Sequence, residues 1–386
     1  MNSLTIVGPD TPFAVLDHAK LLQNILRMRQ HIDRLGVTLR PHIKTAKSVD
    51  VANCLFDDVP GPITVSTLAE ADAFADAGYT DMIYAVGIAP HKLPHVLALR
   101  ARGVDLAVLL DSQEQAEAVA QASCEARTRI PAFVEIDCDG HRGGVLVDDP
   151  ALIDIGRILD SAAELRGVLT HAGESYFADT PEALAVAAEN ERAVAVTAAN
   201  ALQTMGLPCP VVSVGSTPTA YAAVDLTGVT EVRAGNYMFF DLVMAGVGVC
   251  DIDNLALSVV VTVIGHRESR GWIVTDGGWM ATSSDRGTAR QRVDQGYGMV
   301  TDLDGVPYTD LIMSHASQEH GILTIRPDSA AVLPSLPIGT RVRILPNHAC
   351  ATAAQYDKYH VIHLTSAIED ARPATIDAIW RRVNGW

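Results

Sequence analysis

The apolar positions fall into two regimes. Through the first two thirds of the chain, short β-rich runs alternate with longer stretches whose apolar residues recur at helical spacing. The runs predicted as strands are GVTLRPHI (36–43), PITVS (62–66), DMIYAV (81–86), DLAVLL (105–110), AFVEIDC (132–138), LRGVLTHA (165–172), PVVSVG (210–215) and VTEVRAG (229–235). Between them lie helical stretches such as LAEADAFADAG, QEQAEAVAQASCEAR and the long TPEALAVAAENERAVAVTAANALQTMG. HAKLLQNILRMRQHIDRLG reads as an entry helix, and PFAVLD before it as a strand expected to pair with the first repeat. Strands alternating with helices imply βαβ units and a parallel sheet. Eight repeats predict an α/β fold closed as a (β/α)8 barrel, with an open doubly wound sheet as the alternative.

From about residue 250 the helical pattern fades. ALSVVVTVIGH, GWIVTDG, TRVRILPNH and YHVIHLTS are β-branched runs separated by turns. Two domains are therefore expected: a barrel over 18–248, and a β-rich domain made of 1–17 with 249–386. A chain of 386 residues is long enough for both.

Composition narrows the function classes. Hydrophobic residues make up 48% and charged residues 19%, as in an ordinary globular protein. The net charge of -17 argues against a basic groove for nucleic acid. No apolar run approaches the roughly 20 residues of a membrane span, and the opening residues do not read as a signal peptide. The six cysteines (Cys54, Cys124, Cys138, Cys209, Cys250 and Cys350) are scattered, with no Cys-x-x-Cys. That argues against a disulfide framework or a zinc knuckle and makes the cytoplasm the expected compartment.

In a barrel of this kind, chemistry sits at the C-terminal ends of the strands. The first predicted strand ends at Lys44, behind Pro41 and His42. The fifth leads into DCDGHRGGV, with His141 and Arg142; the sixth ends at His171, followed by AGESYF with Tyr176. The seventh ends in Gly215, Ser216, Thr217 and Thr219, and the eighth in Gly235 and Asn236. The loops after strands seven and eight are where such barrels often hold phosphate. Glycine lets backbone N–H groups approach phosphate oxygens, and hydroxyls add donors. Either loop alone is also an ordinary turn. A lysine facing a phosphate cradle points to pyridoxal phosphate, which forms a Schiff base with lysine and acts on amino acids. Lys44 follows its strand directly, whereas Lys47 is expected to open the next helix in solvent. His42 reads as a hydrogen-bonded strand histidine or a group that tunes Lys44. Arg142 could face the cofactor ring or be a solvated cation; His171 and Tyr176 could pack on the ring or be plain packing.

The β-rich part carries LPNHACAT, in which His348 and Cys350 are two apart. In extended chain both side chains leave on one face. Imidazole and thiolate are good zinc ligands, and two protein ligands leave positions for water or substrate. The plain alternative is a core histidine beside a buried thiol. Glu319 and His320, in SQEHG, are possible proton carriers or part of a turn before ILTI. His91, Arg286 and Arg290 are loop cations that could meet a second substrate carboxylate, with surface exposure as the simpler reading. Tyr297 keeps open a racemase, which needs a second base.

RPHIKT, GHRGGV, THAG, GSTPT, EVRAGNY, QEHG and PNHACAT occur in this order across nearly the whole chain. Together they resemble the D-serine dehydratase/D-threonine aldolase family, with its alanine-racemase-like barrel and β domain. The resemblance implies Lys44 as Schiff-base lysine, Arg142 as a cofactor contact, Ser216, Thr217, Gly235 and Asn236 as phosphate-binding positions, and His348 with Cys350 as the divalent-metal pair. It implies a lyase dehydrating a β-hydroxy D-amino acid, D-3-hydroxyaspartate or D-serine, to a 2-keto acid and ammonia. Retro-aldol cleavage to glycine and an aldehyde is the alternative. Aspartate is expected at the position of Cys350 in the aldolase branch, so the cysteine favours dehydration, with zinc ahead of manganese or magnesium. A homodimer follows by analogy. A racemase or a non-catalytic cofactor carrier are further readings, but neither needs the metal pair.

Overall fold

The structure is a computed structural model that describes residues 4–363 and 373–386. It divides into two compact units, one of residues 27–235 with 383–386 and one of residues 1–26 with 236–382.

The first unit is a parallel (β/α)8 barrel. Its strands are Thr38–Leu39, Ile63–Val65, Asp81–Gly87, Asp105–Leu110, Pro131–Ile136, Glu164–Thr170, Val211–Val214 and Glu231–Val232, paired in sequence order with the last beside the first. Closure comes from the segment after Leu39. Arg40 and His42 donate to Val232 O and Ala234 O, each at 2.8 Å, on one side. On the other side Thr64 N donates to Pro41 O (2.9 Å) and Ile43 N to Thr64 O (2.8 Å). The chain predicted as one strand over 36–43 thus has a two-residue ladder, then a stretch bonded alternately to both neighbours. Pro41 has no N–H to give, so its carbonyl alone serves the ring. Ile83, Ala107, Leu109, Phe133 and Leu169 form an apolar cluster on these strands, as expected for strands buried on both faces.

Several of the barrel helices start where a side chain satisfies one of the first orphan N–H groups. Thr67 accepts from Glu70 N ahead of helix Leu68–Asp76. Ser112 does the same for Gln113–Ala126, as does Thr180 for Pro181–Thr204, with proline at its first position. The entry helix is present as His18–Leu35. No helix among the described residues is long and apolar enough to cross a membrane.

The second unit is built on a nine-stranded sheet, ordered Trp272–Thr275, Gly321–Ile325, Pro307–Ala316, Met299–Thr301, Arg341–Leu345, Leu257–Arg267, Phe13–Asp17, Lys358–Ile362 and Ile376–Arg381. Trp272–Thr275 also pairs with Leu257–Arg267, closing the first six strands into an antiparallel barrel. Alternation along Leu257–Arg267 decides its faces: Val259, Val261 and Val263 join Ile273, Met313 and Ile344 in one cluster, while Val260 packs with Phe13, Val15 and Ile362 in another. PFAVLD does not pair with the first barrel repeat as expected. Phe13–Asp17 lies antiparallel to Leu257–Arg267 and parallel to Lys358–Ile362. All five of its residues are buried, so it needs a neighbour on each side, and the barrel ring has no open edge to offer. The predicted run YHVIHLTS is a strand to Ile362; its positions 364–366 lie outside the described residues. No disulfide joins the six cysteines.

Candidate active site

Lys44 follows the first barrel strand and is half-buried. Its backbone N lies 3.4 Å from His42 Nδ1. Burial, and after it the charges of Lys44 and Arg233, push the His42 imidazole well below its ordinary pKa. His171 is lowered in the same way by burial and by Lys44, against the help of Gly215 O and with Arg142 and Arg233 adding to the depression. Both rings are therefore neutral at physiological pH. His171 Nδ1 lies 2.8 Å from Gly215 O, an acceptor, so Nδ1 carries the proton and Nε2 is bare.

Lys47 departs from expectation. It precedes helix Val49–Leu55, whose N-cap is Ser48, but it is not solvated. Its Nζ lies 2.8 Å from Glu70 Oε1, with side-chain exposures of 13% and 0%. A fully desolvated carboxylate demands a cation, and Lys47 supplies it.

Arg142 is half exposed, its Nη2 3.4 Å from Glu135 Oε1. Tyr176 sits in the turn Gly173–Phe177, its ring 6.1 Å from that of His171 and tilted by 48°. Gly215 has φ +144, and a Cβ there would stand 2.1 Å from Arg233 O. A Cβ at Gly235 would stand 2.4 Å from His42 O. Both loops therefore approach neighbouring backbone at distances only glycine permits. Ser216 caps helix Thr217–Ala222, accepting from Thr219 N. Ser216, Thr217 and Thr219 are all buried.

This half of the chemistry suits an anionic group bearing a carbonyl. Lys44, Arg142 and Arg233 all act electrostatically on His171, so three cations are gathered here, with Glu135, Glu191 and Glu231 acting on Arg233, and the neighbouring loops offer buried hydroxyls. A phosphorylated aldehyde fits that donor set. Asn236 lies in the other unit, where its Nδ2 donates to Asp241 Oδ2 at 2.5 Å and its buried Oδ1 has no hydrogen-bond partner.

In that other unit His348 and Cys350 come together by a different route from the one expected. His348 is extended, with φ -135 and ψ 107, but it is the N-cap of a short helix, Ala349–Ala353. Cys350 is therefore the second residue of a helical turn, and its side chain still lies close enough to act on the His348 imidazole. His348 Nδ1 is held 2.7 Å from Asp285 Oδ2, which leaves Nε2 as the ligating nitrogen, the usual arrangement for a metal-binding histidine. Burial disfavours the imidazolium, but Cys350, Asp285 and Asp241 outweigh it and hold His348 well above its ordinary pKa. The Asp285 carboxyl is lowered, chiefly by the His348 hydrogen bond. Asp241 is wholly buried and accepts from Ala349 N (2.8 Å) and Met244 N (2.9 Å). No group of three or more His, Cys, Asp or Glu side chains among the described residues could hold a metal. The chain's own donor set is thus one imidazole and one thiol, which fits a borderline-soft divalent ion with other positions open.

Glu319 and His320 are exposed in the turn between strands Pro307–Ala316 and Gly321–Ile325. His91 is exposed in the turn Pro90–Lys92, and Arg290 is exposed as well. Arg286 pairs with Asp294 at 2.7 Å and lies over the Tyr297 ring at 5.0 Å. Sequence reasoning missed Arg233, a fully buried guanidinium that donates to Ser213 Oγ at 2.8 Å and to Thr170 O; burial lowers its pKa to about 10. An arginine inside a buried-strand pattern was the available signal. Asp285 and Asp241 gave none.

Residues 16–243 match the family model described as alanine racemase, N-terminal domain, and residues 256–362 the one described as putative serine dehydratase domain. The chain is 53% identical over 387 residues to the D-threo-3-hydroxyaspartate dehydratase of Delftia sp. (strain HT23), covering 99% of each. It is 29% identical over 386 residues to the D-serine dehydratase of Dictyostelium discoideum, covering 94% of this chain and 95% of that one. A solved cysteine-to-alanine variant of a D-threo-3-hydroxyaspartate dehydratase, in the metal-free form, superposes with a TM-score of 0.93 at 52% identity, covering 99% of this chain and 100% of that one. The chain belongs to the family that joins an alanine-racemase-type N-terminal domain to a serine-dehydratase-type domain.

Proposed function

We propose that this protein is a pyridoxal phosphate- and divalent metal-dependent lyase that dehydrates D-threo-3-hydroxyaspartate or a related β-hydroxy D-amino acid to a 2-keto acid and ammonia. The observation that carries the reading is the His348–Cys350 pair, braced by Asp285, in a chain 53% identical over its whole length to a dehydratase of that substrate.

Pyridoxal phosphate, when bound, supplies an electron sink for the charge left at the substrate's α-carbon. Lys44 is the amine placed to hold it and, once released, to take the α-proton. The neutral rings of His42 and His171 beside Lys44 hold no competing positive charge. Ser216 and Thr217 would donate to the cofactor's phosphate, and Gly215 and Gly235 would let the backbone approach it. Arg142, on the half-exposed loop, would supply a cation to an anionic oxygen of the cofactor ring. His348 and Cys350 would hold the divalent metal, which would supply Lewis acidity toward the β-hydroxyl. The thiol favours zinc. In balance, the substrate loses its α-proton and β-hydroxyl as water, and the enamine released hydrolyses to keto acid and ammonia.

The test is to incubate the purified protein with D-serine, D-threonine and both 3-hydroxyaspartate diastereomers. Keto acid and ammonia in equal amounts are expected from D-threo-3-hydroxyaspartate. Glycine with an aldehyde as the main products would replace this reading with retro-aldol cleavage.

A further inference from the structure

One buried carboxylate stands behind the phosphate loop and has no part in the chemistry above. Glu191 is carried by helix Pro181–Thr204 and is 2% exposed. Its Oε1 accepts from Ala172 N at 2.9 Å and from Gly215 N at 3.1 Å. These are the N–H groups that open the loops after strands Glu164–Thr170 and Val211–Val214. The Thr219 hydroxyl, which donates to Ser216 O at 3.3 Å, also lies close enough to act on this carboxylate. Thr219 Oγ1 in turn lies 2.9 Å from Ser216 Oγ and accepts from Ser216 N at 3.1 Å. Ser216 Oγ lies 2.9 Å from Ser175 Oγ, which donates to Ala172 O at 2.7 Å. The ring of contacts returns to the residue where it began.

We propose that Glu191 is a positioning residue for the cofactor phosphate: it pins the backbone of Ala172 and Gly215 and, through Thr219, fixes the Ser216 hydroxyl in the cradle. This rests on the reading of Ser216 and Thr217 as phosphate-binding residues. A buried N–H is costly to leave unmatched, so without an acceptor at Glu191 both loops must move to find other partners. Gly215 has little slack to do so: a Cβ at this position would stand 2.1 Å from Arg233 O, so the backbone here already runs close against that of Arg233. Glu191 acts through hydrogen-bond acceptance, and an amide oxygen at the same place serves the two N–H groups equally well.

The experiment compares pyridoxal phosphate with pyridoxal, which lacks the phosphate. Holoenzyme is stripped of cofactor, and rebinding of each aldehyde is titrated by absorbance. Glu191→Leu is expected to weaken pyridoxal phosphate about 10- to 100-fold and leave pyridoxal unchanged, while Glu191→Gln stays within a few-fold of the parent. If Glu191→Leu does not fold, Thr219→Val breaks one arm of the network and is expected to give a smaller loss, again confined to the phosphorylated aldehyde. Equal weakening of both aldehydes, no weakening of either, or a Gln variant as weak as Leu overturns the proposal. Ser216→Ala separates the two ideas. If it shifts the phosphate preference and Glu191→Leu does not, the cradle stands and the role of Glu191 falls. If Ser216→Ala leaves the preference unchanged, the cradle itself is misassigned.

Discussion

The Lys47 ammonium lies 2.8 Å from Oε1 of Glu70, a carboxylate with no solvent exposure. The same carboxylate takes hydrogen bonds from the Ser66 and Thr67 hydroxyls at 2.6 and 3.0 Å. Of the two lysines in LRPHIKTAKS, one is thus committed to holding the next strand–helix junction. Lys47→Ala is expected to cost roughly 3 kcal/mol in urea unfolding, because it leaves a buried charge uncompensated, yet to keep a borohydride-reducible cofactor adduct. Lys44→Ala is expected to be colourless and to lose that adduct. A reducible adduct surviving in Lys44→Ala moves the Schiff base to Lys47.

Metal removal is expected to separate the two halves of the chemistry. A chelator should abolish dehydration while the yellow cofactor stays bound, and zinc should restore activity. Cys350→Ala should still exchange the substrate's α-proton with solvent, since Lys44 performs that step. Asp285→Asn weakens the brace on His348 and should lower zinc affinity about 10- to 100-fold, read by competition with a chromophoric chelator. Full activity in metal-free protein refutes the metal's role.

Gly215→Ala tests the cradle's geometry. A methyl group 2.1 Å from Arg233 O at φ +144 has nowhere to go, so the loop or the segment carrying Arg233 must shift. Overpacking of this kind costs about 1–3 kcal/mol. The variant is expected to melt lower and to purify without cofactor, measured by calorimetry and the ultraviolet-visible spectrum. Retention of both melting temperature and cofactor would mean the loop is slack.

Asp105 gives a pH-dependent stability. Burial opposes its charge, but hydrogen bonds from Arg166 and Arg100 outweigh that and lower its pKa below 3.8. A carboxylate with a lowered folded-state pKa stabilises above its unfolded pKa and loses that contribution as pH falls through the folded value. The side chain is 45% exposed, so screening limits the effect to about 0.5–1 kcal/mol. Asp105→Asn should be less stable than the parent at pH 7, with the gap closing as pH drops below about 4. A gap that persists undiminished in acid would exclude an electrostatic origin.

Much of the proposed site could be read from the chain because its candidate residues stand after strand ends. Where a β-rich run stops, the next few residues face the mouth of a barrel, so Lys44, Arg142, His171 and the Gly215–Thr219 loop could be picked by position alone. Spacing also brought His348 and Cys350 together, although the local conformation is a helix cap rather than a strand. The partners of these residues could not be picked. Asp285 reaches His348 from 63 positions away, and Glu191 reaches Gly215 from the middle of a helix, 24 positions away, with nothing in its surroundings to mark it.

The sequence by itself determined the alternation of strands and helices, the change to β-branched runs near residue 250, and the chemical types gathered at the strand ends. Those follow from periodicity and side-chain chemistry, which are local. Only the tertiary structure decided which strands pair, since hydrogen-bond partners are set by burial across the whole sheet. Val15 lies opposite Ser258 and His360, rather than beside the barrel repeat that follows it in sequence. It also decided which lysine carries a structural ion pair, because the Glu70 carboxylate that claims Lys47 is delivered by the next strand and helix.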